Sequence, residues 1–396
     1  MRLGYGPEEE RFRAELLEWL EAHYPPEAER QPWRASSADK VPWMVAWQRL
    51  LFHSGWLVPG WPPELGGRNA SAGEQMIYFD EMSRRGIPRT CNPQGIGIIA
   101  PSLNDDGTLE QKERFLLPTL RAEISWCVGM SEPNAGSDLA SLQTRAVLDG
   151  DEFVVNGQKI WTSGAHHADW CMCYVRTDPS APKHKGISAL IIDTTSPGVI
   201  RRPFPNLTGR DDDDFNEVFF DDVRVPAENL LGELNDGWRL TQGSLAHERA
   251  MLWIDYACAV DRIVEEMLSI ADVEGEAGRI GDDPQFRDAV AASYVDSQGL
   301  LTMGYRGFAK FQKGRAAPEH SLLKLAGSEA LQRAALAGGE ALGALGLDRT
   351  TYQFDYLGVR SWMMQYLWSF NGTIPGGTSE IQRNIIAERV LGLPRV

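Results

Sequence analysis

The spacing of hydrophobic positions along this chain changes twice. From Glu8 to about Arg121, apolar residues recur at helical intervals, and Phe12, Leu16, Trp19 and Leu20 mark one face of a first amphipathic helix. Gly60-Trp61-Pro62-Pro63-Glu64-Leu65-Gly66-Gly67 interrupts this zone as a rigid loop, and helices are predicted again through Glu74–Arg85 and Leu109–Leu120. The period then shortens to two. Thr144–Leu148, Glu152–Val155 and Gln158–Trp161 read as a meander with tight turns at Asp149-Gly150 and Asn156-Gly157. Trp170–Arg176, Ile187–Asp193 and Glu217–Val225 supply further strands. From Asp236 the helical period returns nearly to the end, broken by polar stretches at Gly275–Asp283 and Gly343–Thr350. The expected fold is α+β: an N-terminal α-helical domain (1–125), a middle antiparallel β-barrel or sandwich (126–235), and a C-terminal α-helical bundle (236–396).

A chain of 396 residues is long enough for such a division and for a large buried core. The formal charge of -16 argues against nucleic acid or an anionic membrane as the main partner, while leaving room for one anionic small molecule. No apolar run is long enough to span a bilayer, and the first residues do not read as a signal peptide. The five cysteines (Cys91, Cys127, Cys171, Cys173, Cys258) are odd in number and scattered, so buried free thiols are expected, and with them a cytoplasmic location. No metal site is expected. Asp211–Asp214 reads as a solvated loop, and His166-His167 lack a third ligand at useful spacing.

Four segments carry candidate chemistry. Gly129-Met130-Ser131-Glu132-Pro133-Asn134-Ala135-Gly136-Ser137-Asp138 is rich in small residues and hydroxyls, which permit close backbone approach and supply donors, although alone it reads as a plain loop. No strand–glycine–helix dinucleotide fingerprint accompanies it. In Ile160-Trp161-Thr162-Ser163-Gly164 an indole could stack on a planar ring beside a hydroxyl, but in isolation Trp161 reads as core. Glu248 falls with Leu245 and Leu252 on one helical stripe, where desolvation would raise its pKa toward the range of a useful base; the plainer reading is a glutamate at the stripe's edge, paired with Arg249 or solvent. The fourth segment is Pro375-Gly376-Gly377-Thr378-Ser379-Glu380-Ile381-Gln382-Arg383.

Taken in order, the α–β–α layout, Ser131–Asp138, Trp161, Phe219-Phe220-Asp221-Asp222-Val223-Arg224-Val225-Pro226 and Gly377-Thr378 to Leu393 resemble the acyl-CoA dehydrogenase family over nearly the whole chain. The resemblance implies FAD, with Met130, Ser131, Gly136 and Ser137 along flavin and substrate, Trp161 and Ser163 against the isoalloxazine, and Thr378 and Glu380 near the adenine end. It implies α,β-dehydrogenation of an acyl-CoA thioester, possible bulky or steroid side-chain substrates included, with electrons passed to an electron-transfer flavoprotein. Many members carry the catalytic glutamate where Gly376 stands. Glycine cannot take a proton, but it keeps the backbone N–H that the family uses on the thioester oxygen. Other members carry the base at the position of Glu248, followed by an arginine, here Arg249. The resemblance thus implies Glu248 as base, Gly376 as part of the catalytic loop, and Ser137, Arg249 and Gly377 on the substrate.

Two segments depart from the family pattern. The loop whose arginine reaches a neighbouring subunit's FAD pyrophosphate appears as Gly278-Arg279-Ile280-Gly281-Asp282-Asp283-Pro284, and a Gln-x-x-Gly-Gly-x-Gly segment appears as Glu340–Gly346. Elements used on the chain's own flavin look intact and those lent to a neighbour look altered. A homotetramer and an α2β2 heterotetramer with a paralogous subunit both remain open. So do two other functions: a non-catalytic subunit that completes a partner's FAD site, and a flavin oxidase or monooxygenase on the same scaffold.

Overall fold

The computed structural model describes residues 5–30, 37–207, 214–275, 278–311, 319–348, 354–355, 358–359 and 361–394; at 244–253, 309, 311, 319–320, 354–355 and 358–359 it describes backbone alone. In chain order the helices are α1 (Pro7–His23), α2 (Pro42–His53), α3 (Ala72–Arg84), α4 (Ala100–Asp106), α5 (Leu109–Gln111), α6 (Leu117–Leu120), α7 (Gly237–Ile270), α8 (Pro284–Phe311), α9 (Glu319–Ala341), α10 (Trp362–Thr373) and α11 (Ser379–Ile385). The main strands are β1 (Trp126–Gly129), β2 (Arg145–Asp149), β3 (Glu152–Lys159), β4 (Trp170–Arg176), β5 (Ile187–Asp193), β6 (Val199–Pro203), β7 (Asn216–Pro226) and β8 (Leu230–Leu231). This is the expected three-zone order. No described helix is long and apolar enough to cross a membrane.

By contacts the chain forms two compact units. One comprises Met1–His23, Ser71–Pro88 and Arg249–Val396; the other comprises Tyr24–Ala70 and Arg89–Glu248. In the first, helical periodicity becomes helix-on-helix packing. Phe12, Leu16 and Leu20 of α1 are buried, and Met76 of α3 joins Ile254, Val260, Leu300, Phe308 and Leu323 in one apolar cluster. Ser71 starts α3 with a capping box, its hydroxyl accepting from the Glu74 N–H while the Glu74 carboxylate accepts from the Ser71 N–H.

The second unit is built on a sheet of order β6-β7-β3-β2-β4-β5-β8, with β1 paired to β4. That path is open, so the sheet is sandwich-like and the barrel expectation is corrected. It is also not purely antiparallel: β1 runs parallel to β4, and β2 meets β4 in parallel at Arg145 and Arg176. The core draws Phe153, Val155, Cys173, Leu190, Ile192, Val218 and Val223 from successive strands. All five cysteines are buried free thiols.

The turn predicted at Asn156-Gly157 is absent. β3 runs straight through it, paired to β2 on one side and β7 on the other, with a bulge between Val155 and Gly157. Gly157 has φ +150°, and a Cβ there would meet Thr144 at 2.6 Å, so the glycine serves a close strand crossing rather than a hairpin. Asn156 instead donates from Nδ2 to Asp222 and accepts the Asp222 N–H, fastening β3 to β7.

Candidate active site

Strand β3 ends at Lys159 and delivers Trp161 on left-handed backbone, φ +61°, a conformation rare for a bulky side chain. The indole is 57% exposed, so Trp161 is not core. Phe204 and Phe215 meet it edge-on, with ring centroids 5.3 and 5.6 Å away, which leaves a supported aromatic face open. Next to it, Thr162 is buried and donates its N–H to the Asn216 carbonyl, and its Oγ1 has no hydrogen-bond partner among the described residues. Ser163 follows, half-buried.

The Met130–Asp138 loop is joined to this segment directly: the Ile160 N–H donates to the Ser131 carbonyl at 2.9 Å. The structure therefore brings Met130, Ser131, Trp161 and Ser163 into one neighbourhood, with Gly136 and Ser137 exposed further along the same loop. Among the described residues nothing lies within 4 Å of where a Gly136 Cβ would be, so none of them demands glycine there. An open indole face, small residues with free approach and hydroxyls on one edge suit a flat, polar-rimmed ring system such as FAD.

Beneath this edge sits a charge pair that the sequence reading missed. Lys159 is 0% exposed and its ammonium donates to the Met130 carbonyl (3.0 Å) and to Glu132 (2.9 Å). The Glu132 carboxylate also accepts the Gln143 and Thr144 N–H groups, at 2.7 and 2.8 Å. Burial pushes the Glu132 pKa up, but the Lys159 ammonium and these hydrogen bonds outweigh it and hold the carboxyl below its ordinary range. Arg176, also buried, donates to the Ala140 and Leu142 carbonyls at the loop's far end. The signal in the sequence was parity: Phe153 and Val155 point into the core, and Lys159, an even number of positions further on, is buried as they are.

The carboxyl-terminal loop lies in the other unit. Gly376 and Gly377 are both left-handed, with φ +66° and +98°. A Cβ at Gly376 would meet nothing within 4 Å among the described residues, whereas one at Gly377 would meet Gln382 Nε2 at 2.8 Å. That Nε2 donates to the Gly376 carbonyl (2.9 Å), and the buried Lys324 donates to the Gly377 carbonyl (2.6 Å). Thr378 caps α11, its hydroxyl accepting the Ile381 N–H, and the exposed Glu380 sits in the first turn. Glu380 titrates low because its own backbone N–H and Thr378 bond its carboxylate.

The side chains of Glu248 and Arg249 lie outside the described residues; their backbone belongs to α7. Asp211–Asp213 also lie outside, while Asp214 accepts from the Ser37 N–H and hydroxyl. Among the described residues no cluster could hold a metal, and His166 Nδ1 is hydrogen-bonded with Asn216. Arg279 pairs with Asp272.

Three family models match in sequence order: the N-terminal, middle and C-terminal domains of acyl-CoA dehydrogenases, over residues 6–123, 127–223 and 235–391. The chain belongs to the acyl-CoA dehydrogenase family. Members of this family are oxidoreductases. Among similar proteins is acyl-CoA dehydrogenase IpdE1 of Mycolicibacterium smegmatis, 38% identical over 360 residues that cover 88% of each chain. Two solved structures cover 100% of both chains: the Tcur3481-Tcur3483 steroid ACAD (31% identity, TM-score 0.84) and the ChsE4-ChsE5 complex from Mycobacterium tuberculosis (33% identity, TM-score 0.83).

Proposed function

We propose that this acyl-CoA dehydrogenase uses FAD to introduce an α,β double bond into a bulky acyl-CoA thioester, with Glu248 as its base and an electron-transfer flavoprotein as its electron acceptor. The observation that carries the reading is Trp161. A large aromatic held on disfavoured backbone with its face in solvent costs stability, and such strain persists where a ligand uses it.

Trp161 and Ser163 would hold the ring system, Met130, Ser131, Gly136 and Ser137 its edge, and Thr378 and Glu380 the adenine end. When bound, FAD supplies the acceptor for the hydride that leaves the β carbon. Glu248 takes the α proton onto its carboxylate, and the Gly376 N–H donates to the thioester oxygen as negative charge develops there. Ser137, Arg249 and Gly377 contact the substrate. The lack of a side chain at Gly376 leaves room for a bulky acyl group, and one of the similar structures is a steroid ACAD.

Both similar structures carry the names of two proteins, which supports an α2β2 heterotetramer over a homotetramer. So does the loop before α8: Arg279 is engaged by Asp272, and Asp282 and Asp283 would repel a pyrophosphate. The buried free thiols suit a reducing, cytoplasmic setting. Gly376 favours a second reading, a non-catalytic subunit that completes a partner's FAD site. Anaerobic addition of a panel of acyl-CoAs to the flavin-loaded chain, with and without a paralogous partner, separates the two. Bleaching that depends on this chain's own acidic residue supports catalysis. Bleaching that survives its loss in the complex supports the second reading, and no bleaching in any combination rejects both.

A further inference from the structure

We propose that the Lys159–Glu132 ion pair is a positioning device for FAD: it ties the Met130–Asp138 loop to the end of β3 so that the loop and Trp161 present one fixed edge. The inference rests on the reading of that edge as the flavin-binding face.

A stability role alone does not account for the pair. An ion pair with its cation fully buried and its carboxylate nearly so is commonly neutral or destabilising compared with apolar side chains of the same volume, and Lys159 occupies an inward position of β3 that a leucine or methionine would fill. What apolar residues could not do is bind backbone. The pair engages the Met130 carbonyl at the start of the loop and the Gln143 and Thr144 N–H groups beyond its end. The same strand end supplies the Ile160 N–H to Ser131 and then Trp161. Two chain segments far apart in sequence are thereby held to one strand terminus. Groups that must meet a rigid ring within fractions of an ångström need this kind of support, because a small displacement is enough to lose the contacts. Arg176 braces the far end of the loop at Ala140 and Leu142 but reaches none of these groups near Trp161.

Lys159→Met alone leaves a carboxylate buried without its partner, so loss of fold and loss of position would be confounded. The double variant Glu132→Gln/Lys159→Met removes both charges and carries the test if the single variant fails to fold. On the full chain, the double variant is expected to keep an unfolding midpoint close to wild type while its FAD dissociation constant rises by roughly tenfold to a hundredfold. In the flavin-free protein its amides at Gln143, Thr144 and Ile160 are expected to exchange with deuterium about tenfold faster. A folded double variant that binds FAD as tightly as wild type overturns the proposal. If wild type binds no FAD even with a paralogous partner present, the functional reading fails instead, and unchanged exchange at those three amides would then overturn the staple independently.

Discussion

Two loops of this protein carry residues proposed to hold FAD, and a buried lysine grips a backbone carbonyl in each. Lys159 holds Met130 in the β unit and Lys324 holds Gly377 in the helical unit. There the likeness ends. The first loop is fixed by side chains: Glu132 bonds the Gln143 and Thr144 N–H groups, Arg176 bonds the Ala140 and Leu142 carbonyls, and Gly136 needs no special conformation. The second is fixed by backbone: two consecutive left-handed glycines shape it, and Gln382 closes it onto Gly376. Charge therefore governs the first loop and the absence of Cβ atoms governs the second, so different substitutions should damage each.

The largest effect is expected where that contrast is tested with one kind of change. Gly377→Ala places a methyl group 2.8 Å from Gln382 Nε2 on backbone that disfavours it, and should cost about 1–3 kcal/mol in urea unfolding with an unchanged m-value. Gly136→Ala should shift flavin-free stability by no more than about 0.5 kcal/mol while weakening FAD binding, because only the bound ring would meet the new methyl. Equal destabilisation by both would break the comparison.

Trp161→Ala sharpens it from the side of the ligand. A fully buried aromatic typically costs about 3–5 kcal/mol when truncated, but this half-exposed ring, touched edge-on by Phe204 and Phe215, should cost only about 0.5–1.5 kcal/mol of flavin-free stability. The larger loss should be in FAD affinity, with a shifted visible flavin spectrum. A large stability loss at unchanged FAD affinity would return Trp161 to the core.

The smallest effect is one of pH. Glu132 titrates below its ordinary value of 4.5 in the folded protein, so its contribution to stability is present above that value and fades as pH falls through its lowered folded value. Wild type should therefore lose thermal stability more steeply than Glu132→Gln on acidification below about pH 4.5. Parallel curves for the two proteins would show that the carboxylate contributes nothing in this window.

Much of the fold was legible because period reports burial in α1 and α3, while β4 and β5, buried on both faces, were legible as largely apolar seven-residue runs. The misreading at Asn156-Gly157 arose because a turn signal and a bulge signal share the same dipeptide, and only pairing on both sides of β3 distinguishes them. Strand β1 escaped notice because four buried residues paired in parallel leave no alternation. Periodicity also says which face of a helix is buried but not against what, so nothing in α1 or α3 announced that they pack with the carboxyl-terminal helices. At the site, Trp161, Ser163 and the loop were singled out by the family resemblance, since residue type alone reads the loop as plain and Trp161 as core. Lys159 and Lys324 were not, since a lysine in an alternating or helical pattern ordinarily marks the wet face.

The proposed dehydrogenation needs Glu248 as its base, because Gly376 has no side chain to take a proton. The most direct measurement is a parallel anaerobic titration of flavin-loaded wild type and Glu248→Gln with one acyl-CoA that wild type oxidises, following the visible flavin band. Wild type should bleach, and Glu248→Gln should bind FAD and the thioester yet bleach roughly 10²–10⁴-fold more slowly, as expected for loss of a positioned general base. Bleaching of the variant at the wild-type rate would contradict the account.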